Sequence, residues 1–421
     1  MKPRVLMIAY ACNPEGSGEH WLGWGWAEQA ARHFHVHLLT TPRSQREVEE
    51  HSRRHGITPH FVGIPEWLKK VSPPSDGESN WLHKFVWQHR ANRLVKALHQ
   101  KEKFQIVHQT TFHTFRVPLV GARLGIPAVW GPIAGGESVP PGFGRYLGPA
   151  RLKEFLRGLV NPLWLALPSV RNSLRRAGVI FVSNRTTLQF LPAWVRDKCV
   201  VVPPNALRAE AAAGSVGLPA PPGPAAVGVQ PPGGGSADTV QLLYVGNCVA
   251  TRALPLVFEA LRHSGLENWK LTVVGTGPAL EWWRRLVDQL GLSAKVEFTG
   301  QLPREKLPAC YQQADAFVFP ALRDSGGSSL LEAMERGVPV ICLDWGGPGE
   351  MVDAGSGMKI PVRDREETVA ALAAAIVRLK ALPGLRTSLA RAGVERAQKH
   401  FCWATKGALL VSTYQRLLLG K

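Results

Sequence analysis

Two acids and a pair of glycines lie within one short stretch, Phe319-Pro-Ala-Leu-Arg-Asp324-Ser325-Gly326-Gly327-Ser328-Ser-Leu-Leu-Glu332-Ala-Met-Glu-Arg-Gly-Val-Pro-Val. The apolar run that reaches Phe319 stops at Pro320, and a helical pattern begins near Ser328. A glycine turn feeding a helix offers unpaired backbone N–H groups and the positive end of the helix dipole to an anion, and a diphosphate suits that geometry. Glu332, about one turn inside the helix, is then within reach of ribose hydroxyls. Asp324 precedes the turn and sits nearer a sugar. The plain alternative is an αβ turn whose acid caps a helix and whose glycines only permit the bend.

A second group lies upstream. In Tyr244-Val-Gly-Asn247-Cys-Val-Ala-Thr-Arg252 the guanidinium of Arg252 can give two donors to one phosphate. Val273-Val-Gly-Thr-Gly-Pro lacks a third glycine and a following acid at the usual distance, which sets aside a dinucleotide-binding oxidoreductase. In the N-terminal half, Gly16-Ser17-Gly18 forms a second glycine loop. His108 ends an apolar run, His113 stands in the loop beyond it, and Gly135-Gly136-Glu137 closes Trp130-Gly-Pro-Ile-Ala. The glycines also fit a flexible strand-to-helix turn, and a lone histidine is more often structural than catalytic.

These residues need a framework, and the pattern supplies one. Short β-rich runs alternate with longer helical patterns, which predicts parallel sheets with crossover helices. Strands are expected at 5–10, 36–40, 105–109, 128–130, 179–182 and 199–202, then at 241–245, 270–274, 295–299, 316–319 and 339–343. Between the two series lies a stretch of Ala, Gly, Pro and Ser without hydrophobic period, including Pro231-Pro-Gly-Gly-Gly-Ser. It reads as a linker or insertion at 207–239. The expected organisation is an N-terminal domain over 1–206 and a C-terminal domain over 240–400, both doubly wound α/β, with a cleft between them where ligands bind.

In these motifs the chain resembles the retaining GT-B glycosyltransferases of family 4, glycosyltransferase group 1. Asp324-x7-Glu332 followed by Glu-Ala-Met-Glu-Arg-Gly-Val-Pro-Val is similar to that family's acid-x7-Glu segment, with Asp in place of the usual Glu. Tyr244 to Arg252 resembles its V-G-R-x4-K-G loop, with Arg252 at the Lys position and Asn247 in place of Arg. The N-terminal glycine loop, Trp130 to Glu137 and the ending Phe401-Cys-Trp403 resemble further family features, although the loop histidine common in the family is absent here. The resemblance implies two Rossmann-like domains facing a central cleft, with a last helix at about 401–421 packing back on the first. It implies donor binding by Glu332, Arg252, Asn247, Ser325, Gly326, Gly327, Ser328, Gly16, Ser17, Gly18, His108, Gly135, Gly136 and Glu137, with Asp324 and His113 at the chemistry. The implied reaction moves a sugar from a UDP- or GDP-sugar to a hydroxyl acceptor in polysaccharide, lipopolysaccharide or glycolipid assembly. The nucleotide-sugar is then a co-substrate and no metal or other cofactor is required. The departures leave two alternatives, a catalytically silent nucleotide-sugar-binding partner protein and an epimerase on the same fold.

Composition narrows the partners. The 421 residues carry a net charge of +18, and residues 1–200 hold 27 Lys and Arg against 13 Asp and Glu. That basic half favours anionic partners. No nucleic-acid motif is present. Six scattered cysteines show no metal or disulfide spacing and fit a reducing cytoplasm. No stretch approaches the ~18 apolar residues of a spanning helix. Trp67-Leu-Lys-Lys70, Trp81-Leu-His-Lys-Phe-Val-Trp87 and Arg151-Leu-Lys-Glu-Phe-Leu-Arg157 interleave bulky apolar and cationic residues. They fit either packing helices with solvated charges or peripheral contact with an anionic membrane, which for a cytoplasmic protein is the inner face of the plasma membrane.

Overall fold

The structure, a computed structural model, describes residues 2–71, 81–207 and 239–420. The expected linker or insertion at 207–239 lies, except for its two end residues, outside the described residues. The chain divides into two compact units. The first comprises Met1–Gly136, Val160–Pro204 and Trp403–Lys421, and the second Glu137–Leu159 with Asn205–Cys402. Residues 137–159, which the sequence pattern assigned to the N-terminal domain, thus group with the C-terminal one.

Each unit is built on one parallel sheet. The first contains β1 (Arg4–Ala9), β2 (His35–Thr40), β3 (Thr58–Phe61), β4 (Ile106–Gln109), β5 (Ala128–Ile133), β6 (Val179–Val182) and β7 (Cys199–Val201), in the order β3-β2-β1-β4-β5-β6-β7. The second contains β8 (Val240–Val245), β9 (Trp269–Val274), β10 (Val296–Gly300), β11 (Ala316–Phe319), β12 (Val340–Leu343) and β13 (Met358–Ile360), in the order β10-β9-β8-β11-β12-β13. Central strands such as Ala-Phe-Val-Phe and Val-Ile-Cys-Leu are apolar throughout and buried at every residue, because helices cover both faces of a parallel sheet. The expected fold class, two doubly wound α/β domains, is the one observed.

Two strands escape the hydrophobic pattern, and both lie at sheet edges. The strand β3 reads Thr-Pro-His-Phe, with a proline tolerated because an edge has a free side. The strand β13 has only three residues.

Strand order fixes where function can sit. Connections run outward in opposite directions from β1 and β4 in the first sheet, and from β8 and β11 in the second. The carboxyl ends of such a strand pair leave a crevice between diverging loops, the usual ligand position in open α/β sheets. Both glycine-rich segments singled out in the sequence follow the first strand or its partner at these points.

The C-terminal helix Trp403–Leu418 belongs to the first unit. It packs on helix Glu19–Ala31 at Gly25, where an added Cβ would stand 2.0 Å from the Trp403 ring. Trp403 also meets Trp21 and Trp26 edge-on, and the buried Lys406 donates to the Pro203 carbonyl. Gly25→Ala is therefore expected to destabilise the protein by about 1–3 kcal/mol through overpacking. Gly158→Ala, in a helix and with no neighbour within 4 Å, should leave stability unchanged or raise it by up to ~1 kcal/mol. Urea unfolding of both variants checks the contrast, and a Gly25→Ala protein as stable as wild type would contradict it.

Candidate functional site

The second switch point brings the two acidic and basic sequence candidates together. After β8 the chain makes a short 3₁₀ turn, Ala250–Arg252, and the Thr251 carbonyl accepts from the Leu322 and Arg323 amides at 2.9 and 3.3 Å. That tie sets the loop after β8 beside the loop after β11. Arg252 pairs with Asp324, and its guanidinium lies over the Phe319 ring, 4.8 Å from the centroid. Burial lowers the Arg252 pKa, and nearby Arg323 lowers it further. Its Nε is buried with no hydrogen-bond partner among the described residues. Asn247, at the place of the expected second cation, is exposed; its carbonyl accepts from the Tyr244 hydroxyl at 3.0 Å and the Val249 amide at 2.9 Å.

Asp324 shapes its own turn by accepting from the Gly326 amide at 2.7 Å. A second glycine pair presses on that turn from outside. The Asp324 carbonyl accepts from Gly347 N at 2.9 Å, and a Cβ on Gly347 would stand 2.3 Å from the Ser325 carbonyl carbon. Gly346, at φ +57°, would meet the Asp324 carbonyl oxygen at 2.8 Å. A similar approach holds the upstream loop, where Gly275 would meet the Gly246 oxygen at 2.0 Å and Gly277 the Cys248 oxygen at 2.5 Å. The glycines of Val273-Val-Gly-Thr-Gly-Pro, which bind no dinucleotide by their spacing, form the floor of the Asn247 loop. Gly346 and Gly347 were not among the sequence candidates, although consecutive glycines two residues after a buried strand were the available signal.

The candidate acid at 332 and the turn amides have protein partners. Glu332, half-buried, accepts from the Tyr311 hydroxyl at 3.1 Å, and burial together with this carboxylate raises the Tyr311 pKa well above its usual value. Gly327, at φ +87°, starts helix Ser328–Glu335. The Asn205 amide, oriented by its partners, accepts from Gly327 N at 3.2 Å and Ser328 N at 3.3 Å, and donates to the Ser328 hydroxyl. The amides expected to face an anion are thus occupied by a side-chain carbonyl. Ser325 is half-buried beside them.

A row of alternating charges, also missed in the sequence, extends from this turn. Arg323, next to Asp324, grips Glu154 with both Nε and Nη2 at 2.9 and 3.0 Å. Arg157 lies 3.9 Å from Glu154 and donates to the Glu137 carbonyl at 2.9 Å. Burial lowers the Arg157 pKa, with Arg323 adding to it. Glu137 itself is buried.

The N-terminal candidates lie in the first unit, apart from Glu137. Gly16 and Ser17 occupy the loop after β1, and Gly18, at φ +55°, caps helix Glu19–Ala31. His113 stands beyond β4 and lines a cavity of about 710 Å³ with Tyr10, Glu19 and Arg43; its Nε2 is enclosed without a partner among the described residues. The Gly135 carbonyl accepts from Asn161 Nδ2 at 2.8 Å and Arg116 Nη2 at 3.1 Å. Gly136 is packed so closely that a Cβ would meet Thr187 and Phe190 at 2.7 Å.

His108 is a correction. It is completely buried, its Nε2 donates to the Gly131 carbonyl at 2.8 Å, and its Nδ1 accepts from the Tyr414 hydroxyl at 2.7 Å. A carbonyl can only accept, so Nε2 carries the ring's proton, and burial, which lowers the ring's pKa, leaves Nδ1 unprotonated to accept. Both nitrogens are spent on the fold and none faces a donor.

Two separate doubly wound sheets, each with its candidate residues at a switch point, define a protein of the GT-B architecture. Solved structures agree. Sucrose-phosphate synthase from Thermosynechococcus elongatus superposes with a TM-score of 0.64 at 20% identity over 100% of both chains. Anabaena HepE, solved in complex with UDP, gives 0.60 at 13% identity over 98% of this chain and 99% of its own. At these identities the likeness establishes the fold alone. Residues 233–396 match the family described as glycosyl transferases group 1, a match that falls on the second unit. The GDP-mannose-dependent alpha-(1-6)-phosphatidylinositol monomannoside mannosyltransferase of Mycolicibacterium smegmatis is 29% identical over 262 residues, 59% of this chain. The match spans 65% of that relative's length, just under two thirds.

Burial holds the His108 pKa down at about 4 against an ordinary 6.5. The unfolded chain therefore takes up this proton first as pH falls. Stability from the neutral ring is complete above pH 6.5 and is lost progressively toward pH 4, on the order of 3 kcal/mol in all. Urea unfolding across that range should show the loss in wild type and a shallower one in His108→Gln; equal slopes would contradict the assignment.

Proposed function

We propose that the chain is a glycosyltransferase that moves a sugar from a UDP- or GDP-sugar to a hydroxyl acceptor with retention of configuration. The observation that carries this reading is the gathering of Arg252, Asp324 and Glu332 around one glycine turn at a switch point, inside the group 1 match. Glu332 holds the ribose and Asp324 faces the sugar. The diphosphate takes Arg252 Nε, and one of its oxygens replaces Asn205 at the amides of Gly327 and Ser328. As the glycosidic bond breaks, charge grows on the leaving diphosphate, where a guanidinium and oriented amides stabilise it without a metal. The acceptor hydroxyl attacks on the face that the diphosphate leaves. Support for the donor class comes from the GDP-mannose in the mycolicibacterial relative's name and the UDP in the HepE complex.

The setting we propose is assembly of a polysaccharide, lipopolysaccharide or glycolipid at the cytoplasmic face of the plasma membrane. Among the described residues no single helix is long and apolar enough to cross a membrane. Helix Arg151–Ala166 instead exposes Leu152, Phe155, Leu156, Leu159, Val160 and Leu163, each about half exposed or more, with Arg151 and Lys153 beside them. An exposed apolar face with flanking cations suits the interface of an anionic bilayer.

The alternative of a silent nucleotide-sugar-binding protein draws on one observation, the exposed Asn247 where a second cation would stand. Release of nucleoside diphosphate from UDP- and GDP-sugars separates the two. Asp324→Asn should lower turnover on the order of 100-fold or more while nucleoside diphosphate still binds. Wild-type rates in that variant would contradict the role. Wild-type protein should sediment with phosphatidylglycerol-containing vesicles, and Phe155→Glu combined with Leu159→Glu should remove most of that binding. Unchanged sedimentation would dismiss the membrane face.

A further inference from the structure

The cavity in the first unit has a chemistry of its own. It lies at the carboxyl ends of β1, β2, β3 and β4, the switch point of the first sheet, and its volume of about 710 Å³ suits a small ligand. One side is aromatic. Tyr10 stacks on Phe112 with centroids 4.4 Å apart, and Trp87 meets both rings edge-on at 4.9 and 5.6 Å. Trp87 is locked by its indole N–H on the Val62 carbonyl at 2.8 Å. Such a wall suits the apolar face of a sugar ring.

The polar side is cationic. Arg43 is exposed on the cavity wall and makes no hydrogen bond or ion pair with any described residue. Among the described residues the Lys84 ammonium has only the face of the Trp81 ring, 5.2 Å from its centroid. Lys69 lies on the same wall but is paired with Glu66. Among the described residues the wall holds a single carboxylate, Glu19, and one of its oxygens already accepts the Phe112 amide. Two unspent cations facing one partly spent acid leave a positive field over the aromatic wall. A neutral sugar, read through its hydroxyls, would call for the opposite balance of carboxylates and amides.

We infer that this cavity binds the acceptor, and that the acceptor is a phosphorylated sugar whose phosphate is held by Arg43 and Lys84 while its ring lies on Tyr10 and Phe112. The inference rests on the transferase reading above. His113, on the same wall with its Nε2 unpartnered among the described residues, stands on the acceptor side. The phosphate belongs either to a soluble sugar phosphate or to a lipid headgroup, and the chemistry at the wall is shared.

The experiment uses the full chain with UDP- and GDP-sugars. Acceptors are glucose 6-phosphate, mannose 6-phosphate and inositol 1-phosphate, each beside its unphosphorylated parent, and phosphatidylinositol in phosphatidylcholine vesicles. Phosphorylated acceptors should be preferred over their parents by tenfold or more in kcat/KM; whether a soluble or a vesicle acceptor leads identifies the source. Arg43→Gln with Lys84→Gln should raise KM for the phosphorylated acceptor at least tenfold, change kcat little and leave the nucleoside diphosphate Kd unchanged. Equal use of phosphorylated and neutral acceptors, or an unchanged KM in the double variant, overturns the assignment. So does transfer to the neutral parents with none to the phosphorylated acceptors. Failure of the transferase reading is distinct, because no nucleoside diphosphate is then released from UDP- or GDP-sugars with any acceptor, phosphorylated or neutral.

Discussion

The turn at Asp324 exists because another piece of backbone lies directly on it. Gly347 sits where any side chain would enter the Ser325 carbonyl, and its amide holds the Asp324 carbonyl in place. No other residue type allows two backbones this close. With the main chain pinned, Asp324 turns its carboxylate to both the Gly326 amide and Arg252, and helix Ser328–Glu335 starts with Glu332 one turn away. The Gly275 and Gly277 contacts do the same for the loop that carries Asn247 and leads to Arg252. The candidate site is thus a product of backbone packing at a switch point, and its side chains inherit their positions.

Charge imposes the second constraint. Arginines that lose much of their hydration need anionic partners, or their burial costs more than their contacts return. Here the partners alternate: Arg252 with Asp324, Arg323 with Glu154, and Arg157 beside Glu154 with the Glu137 carbonyl. The row joins the turn to helix Arg151–Ala166, whose other face is the exposed apolar one. One helix therefore carries both the support of the turn and the proposed membrane contact.

What the sequence made legible was local. Apolar runs of four to six residues marked the central strands, and Asp324, the glycines and Glu332 could be read together because they are neighbours in the chain. Edge strands β3 and β13 were illegible, since a short or proline-containing edge needs no apolar run. Glu154–Arg323 and Gly347–Ser325 join residues far apart in sequence, and one sequence without its contacts carries no sign of them. His108 misled for a related reason. A histidine at a strand end looks the same whether it faces a ligand or, as here, a tyrosine more than 300 residues downstream.

Calorimetric titration of UDP and GDP into wild type and Gly347→Ala asks whether the Asp324 turn holds the nucleotide, because the nearest atoms to a side chain at 347 are backbone atoms of that turn. Wild type should bind, and the variant should lose at least tenfold in affinity while retaining a cooperative unfolding transition. Equal affinity in the two proteins would mean that the nucleotide is held elsewhere and that the Asp324 turn is not the donor site.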